Sequence, residues 1–224
     1  MIQYDGSKFL GWQIQKEGRT VQGVIEDNLK KISNSECRVK LYGAGRTDTG
    51  VHAWAQVAHV DLNIKLNEQD IQNALNANLP LDCRIINIEK IGNDFHARYD
   101  AKSRYYRYQC YIGDSILYRN QSWILPSLDI DYLNMFAKKL IGNHDFLSFC
   151  KYSEDQKSTD CSVFESKWSS DKKMLTYKIG ANRFLHHMIR YLVGTMVALY
   201  QKRFSEKEFL SLLKEPRKQV KIVK

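Results

Sequence analysis

The feature that most constrains this 224-residue chain is a repeated switch of periodicity. In VQGVIEDNLKKI, the residues Val21, Ile25, Leu29 and Ile32 recur at helical spacing and form one apolar stripe. Further along, AWAQVAHVDL reads as a strand, EQDIQNALNANLP as a helix ended at Pro80, and CRIINIEKI as a strand. The second half repeats this grammar. SRYYRYQCYI is strand-like, and DYLNMFAKKLIG is a helix closing at Gly142 as its C-cap. VFESKWSS and MLTYKIG then form two strands with a polar turn, and RFLHHMIRYLVGTMVALY forms a long helix. Such alternation implies an α+β chain of two related halves joined into one sheet, with the division around residues 95–101. Self-similarity at the level of residues is too weak to define a repeat.

Composition narrows the class. A hydrophobic fraction of 43% with 12% aromatics belongs to a folded chain. No apolar run approaches the eighteen or so residues that span a bilayer, and MIQYDGSKFLGW has no basic n-region followed by an apolar stretch. Five cysteines without a CxxC pair indicate neither a disulfide framework nor a zinc site, and reduced thiols in a cytosol are the simplest account. Two adjacent histidines, His186 and His187, would be splayed by a helix, so no metal is expected from them. The net charge of +9 suits a polyanionic partner, whose phosphates it would neutralise.

The chemistry is concentrated in GAGRTDTGVHA, residues 43–53. Its Asp-Thr-Gly triplet is that of aspartic proteases, but those need two carboxylates sharing a proton, and no second triplet exists here. A guanidinium at Arg46 would also oppose proton sharing. A phosphate loop fails as well. The dinucleotide spacing puts Asp48 where a glycine belongs, and a P-loop would need Lys then Ser or Thr where Val51 and His52 stand. What fits is a single carboxylate on a tight loop. Gly43, Gly45 and Gly50 would allow the turns that lift Asp48 out of a sheet, and Arg46 would contact an RNA phosphate or stack on a base. A carboxylate kept ionised and partly shielded is a covalent nucleophile; an Asp that only caps its own turn is the other reading.

GAGRTDTGVHAWAQVAHV resembles the signature of the tRNA pseudouridine synthase A family. YDGSKFLGWQIQ with VQGVIE, NANLP, FHARYDAKSRYYRYQCY, GNHDFLSFC and NRFLHHMIRYLVGT resemble further family blocks, in order from about Tyr4 to Leu213. The resemblance implies the pseudouridine synthase fold: two ferredoxin-like halves forming one mostly antiparallel sheet flanked by helices, with the catalytic cleft between them. The halves would be residues 1–97, with the catalytic Asp loop, and 98–224, with the Tyr strand and the Arg helix. It implies isomerisation of uridine to pseudouridine in the anticodon stem-loop of tRNA, at uridines 38 to 40, by a cytoplasmic homodimer needing no metal and no organic cofactor. Asp48 would be the catalytic nucleophile, Arg46 a base-displacing or RNA-gripping side chain, Tyr106 the ring stacked on the target uracil, and Arg190 the partner of Asp48.

Residue by residue, the chain agrees. In a strand Tyr106 shares the more apolar face with Tyr108, Cys110 and Ile112, as core or as a platform for a flipped base. Arg190 lies on one helical stripe between His186 and Gly194, as a solvated cation or as a site residue. His52 reads as a satisfied structural histidine or an orienter of the loop. Family members continue past the last helix with a Gly-Leu-Tyr-Leu-like strand lining the cleft, and KQVKIVK at 218–224 shows no such segment. The competing class is a non-catalytic RNA-binding protein on the same scaffold, which would not need a carboxylate amid cations.

Overall fold

The structure, a computed structural model, describes residues 1–218, so all of KQVKIVK but its first lysine lies outside the described residues. It divides into two compact units, Met1–Ala101 and Lys102–Lys224.

In the first unit the elements are β1 (Ile2–Tyr4), α1 (Val21–Ile32), β2 (Leu41–Gly43), β3 (Ala53–Gln56), β4 (Ala58–Val60), α2 (Glu68–Asn78) and β5 (Cys83–Ile85). β1 lies between β3 and β5 in an antiparallel sheet, and β2 pairs antiparallel with β4. The apolar stripe of α1 is buried as its spacing requires, at Val21, Ile25 and Leu29, against Ile2, Tyr4, Phe9 and Trp12. Thr20 caps α1 by accepting from the Gly23 N–H, and Asn67 caps α2 by accepting from Asp70. α2 ends at Asn78, ahead of Pro80, because the residue before a proline is pushed out of helical geometry.

Two strand expectations are corrected. AWAQVAHVDL is not one strand: it breaks at Val57, β3 pairing with β1 and β4 with β2. The Val57 carbonyl accepts from the Ala44 N–H at the break, 2.8 Å away. CRIINIEKI is strand only over Cys83–Ile85. Beyond it the Ile86 N–H turns to the carbonyl of Met1, the end of the partner strand.

In the second unit β6 (Arg104–Ile112), β7 (Trp123–Leu125), β8 (Gly142–Asp145), β9 (Asp160–Asp171) and β10 (Met174–Ala181) form one sheet in the order β7-β6-β10-β9-β8. All pairings are antiparallel except β6 with β7. The helices are α3 (Ile130–Ala137), α4 (Met188–Tyr200) and α5 (Glu206–Lys214). α3 stops at Ala137 and tightens into a 3-10 turn over Lys138–Leu140, so Gly142, at φ 117°, opens β8 instead of capping the helix. The long C-terminal helix begins only at Met188. His187 sits at φ 61°, a left-handed conformation that a helix cannot pass through, so residues 183–187 precede it. His186 and His187 are therefore not splayed by a helix; their rings lie 4.1 Å apart.

A bulge keeps β9 in phase with this core. Gly180 faces Glu165 while Ala181 faces Val163, so Phe164 is the extra residue. As a result Cys161 and Val163 before it, and Ser166 and Trp168 after it, are all buried. Trp168 is further held by Asn134 of α3, whose amide accepts from its N–H and donates to its carbonyl. Asn76 of α2 does the same to Ile85 of β5 in the first unit. Deep in the second unit the Tyr177 and Ser166 hydroxyls share a hydrogen bond of 2.8 Å, with Tyr177 wholly buried. Removing one hydroxyl strands the other in an apolar surround. Tyr177→Phe should lower stability to urea by about 1–2 kcal/mol, and adding Ser166→Ala should cost little more or recover part of the loss.

Candidate active site

The loop at 44–52 has no regular secondary structure, and its shape is imposed from the N-terminal segment. The Trp12 N–H donates to the Thr47 carbonyl at 3.1 Å, and the Gly50 N–H donates to the Phe9 carbonyl at 3.3 Å. The buried Tyr4 hydroxyl meets the Thr47 hydroxyl at 2.8 Å. Within the loop, the Val51 N–H bonds the Asp48 carbonyl. These contacts require two backbones to lie side by side. At Gly11, φ is +94° and an added Cβ would stand 2.5 Å from the Thr47 carbonyl oxygen and 3.1 Å from the Asp48 carbonyl carbon. At Gly6 an added Cβ would meet the Val51 carbonyl oxygen at 2.1 Å. Only glycine fits either place.

His52 adds a side-chain tie. Its Nδ1 is 3.2 Å from the Gly6 N–H and 3.0 Å from Asp5 Oδ1. Neutral, it accepts from Gly6; protonated, it pairs with Asp5, so either state joins the loop to the N-terminal turn. Hydrogen bonds from Ser7 hold the Asp5 carboxyl below the usual range, and His52 adds to that.

The loop glycines play different parts from those expected. Of the three, only Gly50 has a positive φ, 79°. Gly43 belongs to β2 and lies under the Trp12 indole, where a Cβ would come within 2.6 Å of the ring. Gly45 offers its carbonyl to the Gln56 amide at 2.6 Å. On this frame Asp48 is half-buried and Arg46 is exposed.

The entry to the loop is fixed by buried polar residues that their amphipathic helix did not reveal. Glu26, 4% exposed, accepts from the Leu41 N–H at 2.9 Å, from Gln22 Nε2 at 3.0 Å and from Arg38 Nε at 2.5 Å. Gln22 also donates to the Leu41 carbonyl and accepts from the Ile14 N–H. α1 thus holds both ends of the Leu41 peptide, the start of β2, and the strand delivers the chain into the loop. The signal was present in VQGVIE: a Gln and a Glu one turn apart, flanking the apolar stripe.

Tyr106 and Arg190 belong to the second unit. Tyr106 is half-buried on β6 on the face shared with Tyr108 and Cys110, and Phe184 meets its ring edge-on at 5.0 Å. Both readings of the tyrosine persist in one geometry: it packs on the core and keeps part of its surface open. Arg190 is exposed in the first turn of α4, a turn without an acid and without a side-chain cap at His187. A cation there opposes the helix dipole, so this helix end favours an anion. The stripe from His186 to Gly194 is shortened, since His186 precedes the helix. Burial raises the Tyr108 hydroxyl, Cys110 adds to the rise, and Arg190 opposes it.

Gly11→Ala should release the loop. Hydrogen exchange at the Gly50 amide should quicken by at least tenfold, a loss of about 1–3 kcal/mol of local protection. Gly92→Ala is the control, because a Cβ there meets nothing within 4 Å.

Comparison with known proteins identifies the family. A family model described as tRNA pseudouridine synthase matches residues 1–100 and 136–224, and β6 lies between the two matched segments. The chain is similar to tRNA pseudouridine synthase A of Pelodictyon phaeoclathratiforme, at 41% identity over 214 residues, 95% of this chain and 87% of that protein. It is also similar to the proteins of that name from Staphylococcus saprophyticus, at 34% identity over 95% of this chain and 80% of that protein, and from Geobacillus kaustophilus, at 35% over 95% and 83%. With both the Asp48 loop and the helix of Arg190 inside the matched segments, the chain belongs to the tRNA pseudouridine synthase family.

Proposed function

We propose that this chain is an isomerase that converts uridine to pseudouridine in tRNA, with Asp48 as its nucleophile. The observation that carries the reading is a half-buried carboxylate in an Arg-Thr-Asp run whose backbone is clamped on both sides. A binding protein would gain nothing from a fixed acid beside Arg46, because an acid repels phosphate. A nucleophile gains a great deal, since a rigid carboxylate is already in its attacking position.

The reaction balances without a co-reactant. The bond from C1′ to N1 breaks, the uracil turns while held, C5 bonds to C1′, the C5 proton leaves to solvent and N1 gains one. Asp48 attacks C1′, attacks C6 or removes a sugar proton; each of the three needs the ionised form. The target must leave its stack, at a cost of a few kcal/mol. Arg46 would offset this by gripping RNA, Tyr106 would stack on the uracil, and Arg190 would pair with Asp48 and keep it charged. On this reading the N-terminal half, with the Asp loop, and the C-terminal half, with the Tyr strand and Arg helix, form one sheet with the cleft between them. The substrate site is the anticodon stem-loop at uridines 38 to 40. The working form is a cytoplasmic homodimer in which one protomer holds the tRNA body while the other does chemistry. Among the described residues no helix is long and apolar enough to cross a membrane.

tRNA carrying tritium at uracil C5 tests the reading without any added cofactor. The wild-type chain should release tritium, and Asp48→Asn should bind tRNA within a few-fold while losing release by roughly 10³-fold or more. Tight binding with no release by the wild type would support the non-catalytic binder instead.

A further inference from the structure

We infer that the turn at residues 95–100 is a stacking site for an unpaired RNA base, with Tyr99 as the ring that receives it. The inference rests on the RNA substrate proposed above, and the site lies outside the residues assigned there.

Four rings form a column in the first unit. Tyr42 and His59, cross-strand partners of β2 and β4, stack with centroids 5.0 Å apart at 14°. His96 stands edge-on to His59 at 4.6 Å, and Tyr99 lies against His96 at 4.3 Å. Tyr99 ends the column and is 77% exposed.

The exposed ring is held on a backbone that has little freedom. The Tyr99 and Asp100 N–H groups both donate to the His96 carbonyl at 3.0 Å, and the His96 N–H donates to Asp100 Oδ2 at 2.6 Å. Both imidazoles lock the turn as acceptors. His59 Nδ1 takes the Ala97 N–H at 3.1 Å, and His96 Nδ1 takes the Arg98 N–H at 3.2 Å. Each ring therefore presents its Nδ1 lone pair to the turn, as in the tautomer with its hydrogen on Nε2. Burial, together with His96, holds His59 below its usual range, while Asp61 and Asp100 act the other way.

A large aromatic ring left in water on a turn whose backbone is held presents an open face to a stacking ligand. Stacking on a ring whose backbone is already ordered costs less further entropy than ordering a free loop. Arg98, exposed and next in sequence, supplies positive charge for a neighbouring phosphate. Asp100, next to Tyr99 in the same turn, disfavours a phosphate over the ring itself, so the ring receives the uncharged face of a base. That combination fits a nucleotide splayed from a loop and does not fit a duplex backbone.

The test is equilibrium binding of an unmodified tRNA transcript, with tritium release measured alongside. Tyr99→Ala should weaken binding about tenfold and raise KM with kcat unchanged, while Tyr99→Phe should stay within about twofold of wild type. Equal affinity in Tyr99→Ala would overturn the inference, as would an equal loss in Tyr99→Phe, which would indicate the hydroxyl. Loss of self-association in Tyr99→Ala with RNA affinity intact would overturn it in favour of a protein contact. Wild-type tritium release in the same assay keeps these failures separate from a failure of the proposed activity.

Discussion

The contact between the Gly11 backbone and the Thr47–Asp48 peptide decides the geometry of the loop that carries Asp48. Two chain segments with no regular structure pass so closely that position 11 could not carry a side chain at the crossing. The hydrogen bonds from Trp12 to Thr47 and from Gly50 to Phe9 exist because of that closeness. Neutral backbone hydrogen bonds are each worth about 1 kcal/mol net. Their value here is that they fix the backbone from which the Asp48 carboxylate projects.

Glu26 shows the same principle from the other direction. A carboxylate that is 4% exposed is expensive unless it is fully engaged, and this one receives three donors, including a guanidinium. One of the three is the Leu41 N–H, so the charge is spent on holding the mouth of the loop. Arg38, in turn, is held above its usual range by its bond to Glu26. Elsewhere helices grip strands with neutral amides, as Asn134 does at Trp168 and Asn76 at Ile85.

The elements that were legible in the sequence are those set by one-dimensional periodicity. The α1 stripe needed only residue spacing. The break at Val57 was hidden because alternation continues through it; only the partner strands change. The start of α4 was hidden because His187 adopts a left-handed conformation that histidine does not advertise. At the site, Asp48 stood out by chemistry and by elimination, whereas its supports did not. Gly6 and Gly11 are separated from the loop by more than thirty residues, and nothing local says what they touch. Gln22 and Glu26 look like the wet face of a helix until the burial of α1 is known.

The clamp also sets an order of events in synthesis. Tyr4 and Thr47 are 43 residues apart, and Gly6 and His52 are 46 apart. The N-terminal segment is therefore made first and must wait for its partner, several seconds at about 5–20 residues per second. During that interval α1 can form, since its contacts are local, but the loop has no shape of its own to adopt. The geometry of the Asp48 loop thus arises by closure of a long chain loop, after the scaffold around it. A ribosome that paused between residues 32 and 44 would hold a chain with its first helix complete and its site not yet in existence.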